Sequence, residues 1–268
     1  MTAAAADALP QERQQAILQR LREHGRVVAA ELAAAFAVSE DSIRRDLRDL
    51  AAQGLCRRVY GGALPPTPGL APLPQRHEEH AERKRALAQA AAALVRPRQV
   101  LLIDAGSTNS AIAAALPPRQ RLTVVTNAPD IAQLLMPREG FEILLIGGRI
   151  DPRIGAAVGA QALQQLRQVR ADLCFPGACA IDAERGLWGV DGEEALFKRA
   201  MIEASGETAV VVTVDKLGAH APHLVAAVAA IDHLVVEHDA AQALCAPFLV
   251  QAVQLHRADA PAPPQRAK

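Results

Sequence analysis

Residues 38–63 decide the fold of the first part of the chain, and they read VSEDSIRRDLRDLAAQGLCRRVYGGA. Ser39 is placed to cap a helix over residues 40–53, which carries two acidic residues in its first turn and ends at Gly54. The run LCRRVYGGA then alternates apolar and basic residues up to a glycine pair, which is typical of a β-hairpin. The stretch therefore predicts a capped helix followed by a hairpin.

The outward face of this helix is basic, because its apolar residues form a single stripe on the opposite side. Five arginines and two aspartates between residues 42 and 62 leave a local charge of +3, although the whole chain balances 29 basic against 29 acidic residues. A helix fits the major groove of B-form DNA, and guanidinium groups pair with guanine or clamp phosphates. The side chains that we predict to contact DNA are Ser39, Ser42, Arg44, Arg45, Arg48, Arg57, Arg58 and Tyr60.

Two more helical patterns precede the capped helix, over residues 11–23 and 29–36, and a tight turn at Ala37-Val38 separates the second from it. Three short helices, a turn and a basic hairpin in this order predict a winged helix-turn-helix. A proline-rich segment follows. We therefore predict a DNA-binding domain at residues 1–64, a linker at 65–75, a second domain at 76–257 and a flexible tail at 258–268.

The second domain has the pattern of an α/β protein with a mostly parallel sheet. Short apolar runs, separated mostly by helical patterns, begin at Val100, Leu122, Ile143, Leu173, Ala209 and Leu234. In open sheets of this kind, ligands bind at the carboxyl ends of the strands. Four of these strand ends carry small or polar residues: DAGSTNS after the first strand, Thr126-Asn127 after the second, Gly147-Gly148-Arg149 after the third and Pro176-Gly177-Ala178 after the fourth. Such turns before a helix N-terminus predict a small-anion site.

Other charged residues have simpler interpretations. Glu194 and Lys198 are four residues apart on a helical pattern, and this spacing alone indicates a surface ion pair worth about 0.2–0.5 kcal/mol. His77 and His80 have metal-like spacing, but the charged run HEEHAERKR indicates a solvated helix face. Four scattered cysteines indicate buried, reduced thiols. We expect no metal site, no catalytic constellation, no membrane span and, since no export signal precedes the first helix, a cytoplasmic protein.

The motif at residues 38–63 resembles the N-terminal domain of the DeoR family of bacterial transcriptional regulators, which has a Val-Ser turn, an IRRDL helix and a G-L-x-x-R-x-H-G-G-A wing. Tyr60 stands at the histidine position of that wing. The runs LLIDAGSTNSAIAAAL, VVTNAPDIAQLL, LLIGGRI, VGAQAL, ADLCFPGACAID with GLW, and EEALFKRAMI resemble the family's effector domain. The resemblance covers roughly residues 11–240 and implies a fold similar to ribose-5-phosphate isomerase and glucosamine-6-phosphate deaminase.

By position, the resemblance implies an effector site for a phosphorylated sugar. The implied phosphate loop is Asp104, Gly106, Ser107 and Thr108, and the implied sugar-lining residues are Thr126, Asn127, Gly147, Gly148, Gly177, Glu194 and Lys198. Lys216 aligns with the lysine of the family's D-S-S-K pattern. The aspartate position of that pattern holds Thr213, and the acid is displaced to Asp215.

These features together predict a repressor of a carbohydrate catabolic operon. We expect a homo-oligomer, a dimer or a tetramer, that binds double-stranded operator DNA, needs no cofactor, and is released by a phosphorylated sugar. The alternative is a sugar-phosphate isomerase or deaminase that carries a DNA-binding domain, because Asp104, Asp182, Glu194 and Lys198 include acid-base groups. A fused DNA-binding domain is hard to explain in a plain metabolic enzyme, which favours the regulator.

Overall fold

The computed structural model describes residues 10–24, 27–52, 55–59, 61–64 and 73–260. The chain divides into two compact units, Met1–Gly69 and Leu70–Lys268. Among the described residues, no helix combines the length and the apolar character that crossing a bilayer requires.

The described part of the first unit is a winged helix-turn-helix, as predicted. Its helices are α1 (Pro10–His24), α2 (Ala29–Phe36) and α3 (Glu40–Ala52), and its strands are β1 (Val27–Val28), β2 (Arg57–Val59) and β3 (Gly62–Leu64). The strands form an antiparallel sheet in the order β1-β3-β2. The predicted apolar stripe of α3 is confirmed, since Ile43, Leu47 and Leu50 are buried against side chains of α1 and α2.

A close backbone approach fixes the wing, the hairpin formed by β2 and β3. At Gly62 a Cβ atom would lie 2.0 Å from the carbonyl oxygen of Val27, so only glycine lets β3 pair with β1. Gly61 has φ +81°, a left-handed conformation that glycine adopts without strain.

The second unit has seven helices and twelve strands within residues 73–260. The helices are α4 (Leu73–Glu78), α5 (Ala81–Ala92), α6 (Ser107–Ala115), α7 (Pro129–Leu135), α8 (Ala160–Leu166), α9 (Gly192–Glu203) and α10 (Gln242–Val250). The strands are β4 (Val100–Ile103), β5 (Leu122–Thr126), β6 (Phe141–Leu145), β7 (Arg149–Asp151), β8 (Ala156–Val158), β9 (Ala171–Phe175), β10 (Ala180–Asp182), β11 (Gly186–Gly189), β12 (Ser205–Val211), β13 (His223–Ala226), β14 (His233–Val236) and β15 (Gln254–Arg257).

Seven of these strands form one parallel sheet in the order β15-β14-β12-β9-β4-β5-β6, which confirms the predicted sheet. Helices α5, α6 and α7 pack on one face through residues such as Leu87, Ile112 and Ile131. Helices α8 and α9 pack on the other face through Leu166 and Met201. A small antiparallel sheet, β10-β11-β13, and the β7-β8 pair lie outside this sheet and were not predicted.

Three sequence-based expectations need correction or fall outside the described residues. Residues 73–75 belong to α4 and not to a linker, while residues 65–72 lie outside the described part. Ala258, the expected start of a flexible tail, is buried, and its backbone N–H donates to the carbonyl of Val236 at 2.8 Å. The charged run HEEHAERKR, expected as one solvated helix face, is divided between α4 and α5 at His80, whose φ of 54° is left-handed.

Candidate DNA interface and effector site

Helix α3 presents a basic outer surface. The side-chain oxygen of Ser39 accepts a hydrogen bond from the backbone N–H of Ser42 at 3.2 Å, as expected of an N-cap. Arg44, Arg45 and Arg48 are exposed. Arg44 pairs with Glu40 at 2.9 Å, but both side chains are about half exposed, and exposed pairs of this kind contribute little.

The base of α3 is held by an ion pair with α1. Asp46 is buried and accepts from the Nε atom of Arg13 at 2.6 Å. This pair removes one of the two acidic charges counted in the basic segment from the DNA-facing surface. On the wing, Arg58 is exposed, whereas the side chain of Arg57 and the whole of Tyr60 lie outside the described residues.

The carboxyl ends of β4 and β9 meet at Asp104, which is 1% exposed. Its Oδ2 atom accepts the backbone N–H of Gly177 at 2.9 Å and lies 3.6 Å from the Nζ atom of Lys198. A Cβ atom at Gly177 would lie 2.9 Å from the same Oδ2 atom, so glycine is required for this approach. The carboxamide of Asn109, which the sequence reasoning missed, donates to the carbonyls of Asp104 and Phe175 and joins the two strand ends.

The interpretation of Glu194 and Lys198 as a surface ion pair is wrong. Both side chains are buried, and Lys198 donates to the Oε1 atom of Glu194. Helix α9 turns them inward because it covers a face of the sheet, and helical spacing alone does not show which face of a helix is solvated. Burial by itself would lower the pKa of Lys198, but the carboxylates of Glu194 and Asp104 outweigh this effect and raise it far above its usual range.

Several buried polar atoms at these strand ends have no hydrogen-bond partner among the described residues. Three of them belong to predicted site residues, namely the hydroxyl of Thr108, the carbonyl oxygen of the Asn127 side chain and the Oε2 atom of Glu194. Ser107 is also buried, at the start of α6, and the hydroxyl of Thr126 accepts the N–H of Ala128. Buried polar atoms are normally paired, so three unpaired ones on the predicted site residues indicate places for a polar ligand.

The turn after β6 carries the next two predicted residues. Gly147 donates its N–H to the side chain of Gln165 at 3.0 Å and accepts from the same amide, so the turn is tied to α8. Gly106 and Gly148 have φ values of 133° and 142°, which L side chains rarely adopt.

Two cations that the sequence reasoning missed lie at this edge of the sheet. Lys84 of α5 is buried and donates to the backbone carbonyl of Arg76 in α4. The guanidinium of Arg76 donates to the carbonyls of Arg153 and Ile154, both at 3.1 Å. Lys84 was missed because it belongs to the charged run around His77 and His80, and this run has the pattern of a solvated helix surface. The possible signal was its spacing from the buried alanines and Leu87 of α5.

Lys216 completes this group of cations, on the 3₁₀ turn Val214–Lys216 after β12. Loss of hydration lowers the pKa values of Lys84, Lys216 and Arg76. The charge of Asp215 opposes this effect at Lys216, whereas the charges of Lys198 and Arg76 lower the pKa of Lys216, and Lys216 in turn lowers that of Lys84. We call Arg76, Lys84, Lys198 and Lys216 the cation group.

The departure from the family pattern at Thr213 is accommodated by another carboxylate. Thr213 is buried, and the displaced acid, Asp215, is exposed. Buried Glu237, at the end of β14, accepts the N–H of Val214 at 2.7 Å and thereby holds the turn that carries Lys216. The sequence reasoning missed Glu237, since nothing in its neighbourhood marks it as buried.

The arrangement suits a ligand that has both hydroxyl groups and negative charge. The unpaired acceptors can take hydroxyl protons, and the cation group can neutralise a phosphate through charge-assisted hydrogen bonds. Within the described ranges, no group of three or more His, Cys, Asp or Glu side chains is placed to hold a metal ion.

Comparison with known proteins gives matches to both units. Models of the DeoR-like helix-turn-helix domain and of the DeoR C terminal sensor domain match residues 13–68 and 79–238. The chain is 34% identical to the putative aga operon transcriptional repressor of Escherichia coli O157:H7, over 84% of this chain and 86% of that protein. It is 36% identical to the glycerol-3-phosphate regulon repressor of Escherichia coli K12, over 78% of this chain and 84% of that protein.

A third relative is the transcriptional repressor GlcR of Bacillus subtilis, which is 30% identical over 88% of this chain and 91% of that protein. Among solved structures, ribose 5-phosphate isomerase A of Methanocaldococcus jannaschii matches 49% of this chain and 52% of its own, with 17% identity and a TM-score of 0.36.

Proposed function

The chain belongs to the DeoR family of transcriptional regulators, and from this premise we propose that it represses a carbohydrate catabolic operon until a phosphorylated sugar releases it from its operator. The winged helix-turn-helix binds double-stranded DNA. The second unit binds the sugar phosphate at the carboxyl ends of its parallel strands. The protein acts as a homo-oligomer in the cytoplasm and needs no cofactor.

One observation carries the ligand proposal, namely that unpaired buried acceptors and the cation group lie on the same sheet edge. A buried acceptor without a partner costs about 1–3 kcal/mol, which a donating sugar hydroxyl would recover at Asn127 and Glu194. Mutually repelling cations at Lys84, Lys216 and Arg76 are stabilised when a phosphate binds among them. A neutral sugar satisfies only the first group, so the site favours the phosphorylated compound.

The names of the relatives support the regulatory part of the proposal. They describe repressors of an aga operon and of a glycerol-3-phosphate regulon. Release from DNA requires that the sugar phosphate bind the free and the DNA-bound states with unequal affinity. Equal affinity for the two states would contradict this mechanism.

We propose a binding role for the buried Asp104–Lys198–Glu194 group and not a catalytic one. Lys198 is held between two carboxylates that keep it protonated, which makes it a poor base. Turnover of ribose 5-phosphate or glucosamine 6-phosphate by the purified chain would instead support the isomerase or deaminase alternative.

The test uses two neighbouring residues of α5 that differ in burial. Lys84 is buried in the cation group, whereas Arg85 is exposed and pairs with Glu82. Binding of the protein to DNA from upstream of its gene is followed by fluorescence anisotropy at fixed salt concentration. Phosphosugars and their unphosphorylated parents are titrated into this complex. Lys84→Gln should raise the concentration of the active phosphosugar that is needed for half-maximal release from DNA about 10- to 150-fold. The reason is that it removes a charge-assisted bond worth about 1.5–3 kcal/mol.

Arg85→Gln is the matched control, and the phosphosugar should release this variant from DNA at the same concentration as the wild type. Equal release by a phosphosugar and its unphosphorylated parent would contradict the phosphate site. Operator affinity without ligand should be the same in all three proteins, since neither residue belongs to the helix-turn-helix unit.

A further inference from the structure

Helix α4 is the first described element after the winged helix-turn-helix, since β3 ends at Leu64 and α4 begins at Leu73. None of its six residues is buried. Leu73 and Arg76 are partly shielded from solvent and lie three residues apart, hence on one face, while the other four residues are exposed. A helix that buries so little surface is held by few contacts and leaves its position at a small cost in free energy.

The turn between β7 and β8 receives this face of α4. Leu73 packs so closely on Gly155 that a Cβ atom at position 155 would clash with its Cδ2 atom. The guanidinium of Arg76 donates to the carbonyls of Arg153 and Ile154, both at 3.1 Å. An apolar contact and two hydrogen bonds therefore hold α4 on this turn.

The β7-β8 hairpin is also bonded to the predicted effector site. The N–H of Ala157 in β8 donates to the backbone carbonyl of Asn127 at 2.8 Å. The side-chain amide of Asn127 donates back to the carbonyl of Ala157 at 3.3 Å, and its side-chain oxygen is one of the buried acceptors without a partner among the described residues. The turn that holds α4 and a predicted ligand contact thus belong to one hydrogen-bonded unit.

In this position, α4 brings Arg76 into a group of like charges. Loss of hydration is the main cause of the lowered pKa values of Lys84 and Lys216, and the positive charge of Arg76 adds to it at both. The carboxylates of Glu79 and Asp215 offset part of this repulsion at Lys84, but both are exposed, so solvent screens them. Repulsion therefore opposes the docking of α4 until an anion binds among the cations and replaces it by attraction.

We propose that α4 is a latch that a bound phosphate closes on the β7-β8 turn, and that the closed latch weakens operator binding. The inference rests on the proposed function, because a sugar phosphate that releases the protein from DNA must favour a state that binds DNA less tightly. The closed latch is that state. Phosphate binds among Arg76, Lys84 and Lys216, so it stabilises the docked helix directly.

The latch acts through the length of chain that joins the two units. When α4 leaves the turn, residues 73–78 extend this connection by up to about 20 Å, at about 3.3–3.6 Å for each extended residue. Operator half-sites lie about 34 Å apart, so a loss of this reach is large enough to hinder the simultaneous binding of two half-sites.

A disulfide closes the latch without any ligand. The Cβ atom of Leu73 lies 3.7 Å from the position that a Cβ atom at Gly155 would occupy, and disulfides span about 3.5–4.5 Å between Cβ atoms. Oxidation of Leu73→Cys/Gly155→Cys should lower operator affinity at least about tenfold in the absence of phosphosugar, and reduction should restore it. Fluorescence anisotropy at fixed salt concentration measures the affinity, and peptide mass mapping verifies the crosslink.

The matched controls are Leu73→Cys and Gly155→Cys as single variants under the same oxidation. Neither forms the crosslink, so both should bind the operator equally well before and after oxidation. They also report on the four native cysteines and on any strain at Gly155, whose φ is +82°.

Hydrogen exchange of the full chain gives a second measurement that needs no disulfide. Inorganic phosphate, compared with chloride at equal ionic strength, should slow exchange at the N–H of Glu79, which donates to Gln75 at 3.0 Å, at least about threefold. It should also slow exchange at the N–H of Ser110 in the first turn of α6. Arg76→Gln should abolish the response at Glu79 and keep the response at Ser110, and Gln75→Ala, on the exposed face of α4, should respond as the wild type does at both.

The outcomes separate the latch from the proposed function. Unchanged operator affinity in the crosslinked protein, or phosphate protection of α6 without protection of α4, would overturn the latch and leave the effector site in place. Tighter operator binding after crosslinking would overturn the proposed direction and contradict release by a sugar phosphate. Protection of neither helix would contradict phosphate binding itself, and the latch would be overturned with it.

Discussion

Replacing Lys198 by methionine tests how the second unit tolerates charge in its interior. Lys198 is 1% exposed and lies between the carboxylates of Asp104 and Glu194, which are 1% and 6% exposed. Methionine keeps most of the volume but leaves two buried carboxylates without a cation. Breaking a buried pair in this way costs about 3–5 kcal/mol.

The melting temperature of the second unit should therefore fall by about 6–20 °C, since 1 kcal/mol corresponds to about 2–4 °C in a unit of this size. Tryptophan fluorescence reports on this unit alone, because the single tryptophan of the chain is Trp188 in β11. Thermal unfolding followed at this residue is thus separate from the unfolding of the helix-turn-helix unit.

Two further variants separate charge from packing. Adding Glu194→Gln to Lys198→Met removes one unpaired charge and should recover part of the lost stability. Arg85→Met removes an exposed partner of Glu82 and should change the free energy of unfolding by less than about 0.5 kcal/mol. A loss below about 1 kcal/mol for Lys198→Met would refute the reasoning and restore the surface-pair interpretation.

Three more predictions concern binding. Arg45→Ala and Arg48→Ala should each weaken operator binding by about 1–3 kcal/mol and relax its sequence preference if the side chain contacts a base. If the side chain contacts phosphate, the variant should instead reduce the salt dependence of binding. Unchanged anisotropy titrations for both variants would exclude α3 as the recognition helix. Ser107→Glu should abolish the response to sugar phosphate while operator affinity is kept, because a carboxylate repels phosphate; Ser107→Ala is the control, and a normal response in the glutamate variant would move the site elsewhere. The affinity for sugar phosphate, measured by calorimetry, should rise with pH as the phosphate loses its second proton near about pH 6. At alkaline pH the affinity should fall again, because the lowered pKa values of Lys84 and Lys216 make these lysines lose their charge at lower pH than usual. An affinity that does not depend on pH would contradict a role for these lysines.

Elements with a clear period could be predicted from the sequence. Strand β4 begins at Val100 as expected, and the stripe of Ile43, Leu47 and Leu50 on α3 is buried as expected. A short continuous apolar run between helical patterns favours a buried strand, and a 3.6-residue apolar period favours a helix with one buried face. Strand β15 was missed because QLHR, at a polar sheet edge, has no apolar run to mark it.

The interior charges could not be predicted, because their burial depends on distant elements. The spacing of Glu194 and Lys198 is the same in a surface pair and in a buried one, and only the position of α9 against the sheet separates the two. Lys84 lies in a run of charges, and Arg76 and Lys216 reach its neighbourhood from α4 and from the turn after β12. Such convergence is a property of the tertiary fold.

The contact between Gly62 and Val27 restricts how this wing can evolve. Every single-base change that alters a glycine codon introduces a Cβ atom or a stop, and any Cβ at position 62 meets the Val27 carbonyl at 2.0 Å. The neighbouring Gly61 has open space around its missing side chain, so asparagine, which tolerates a positive φ, has an accessible mutational path there. Substitution in the wing is therefore excluded at Gly62 and tolerated at Gly61. DNA preference has to diverge through the other side chains of the hairpin, while the pairing of β1 with β3 stays unchanged.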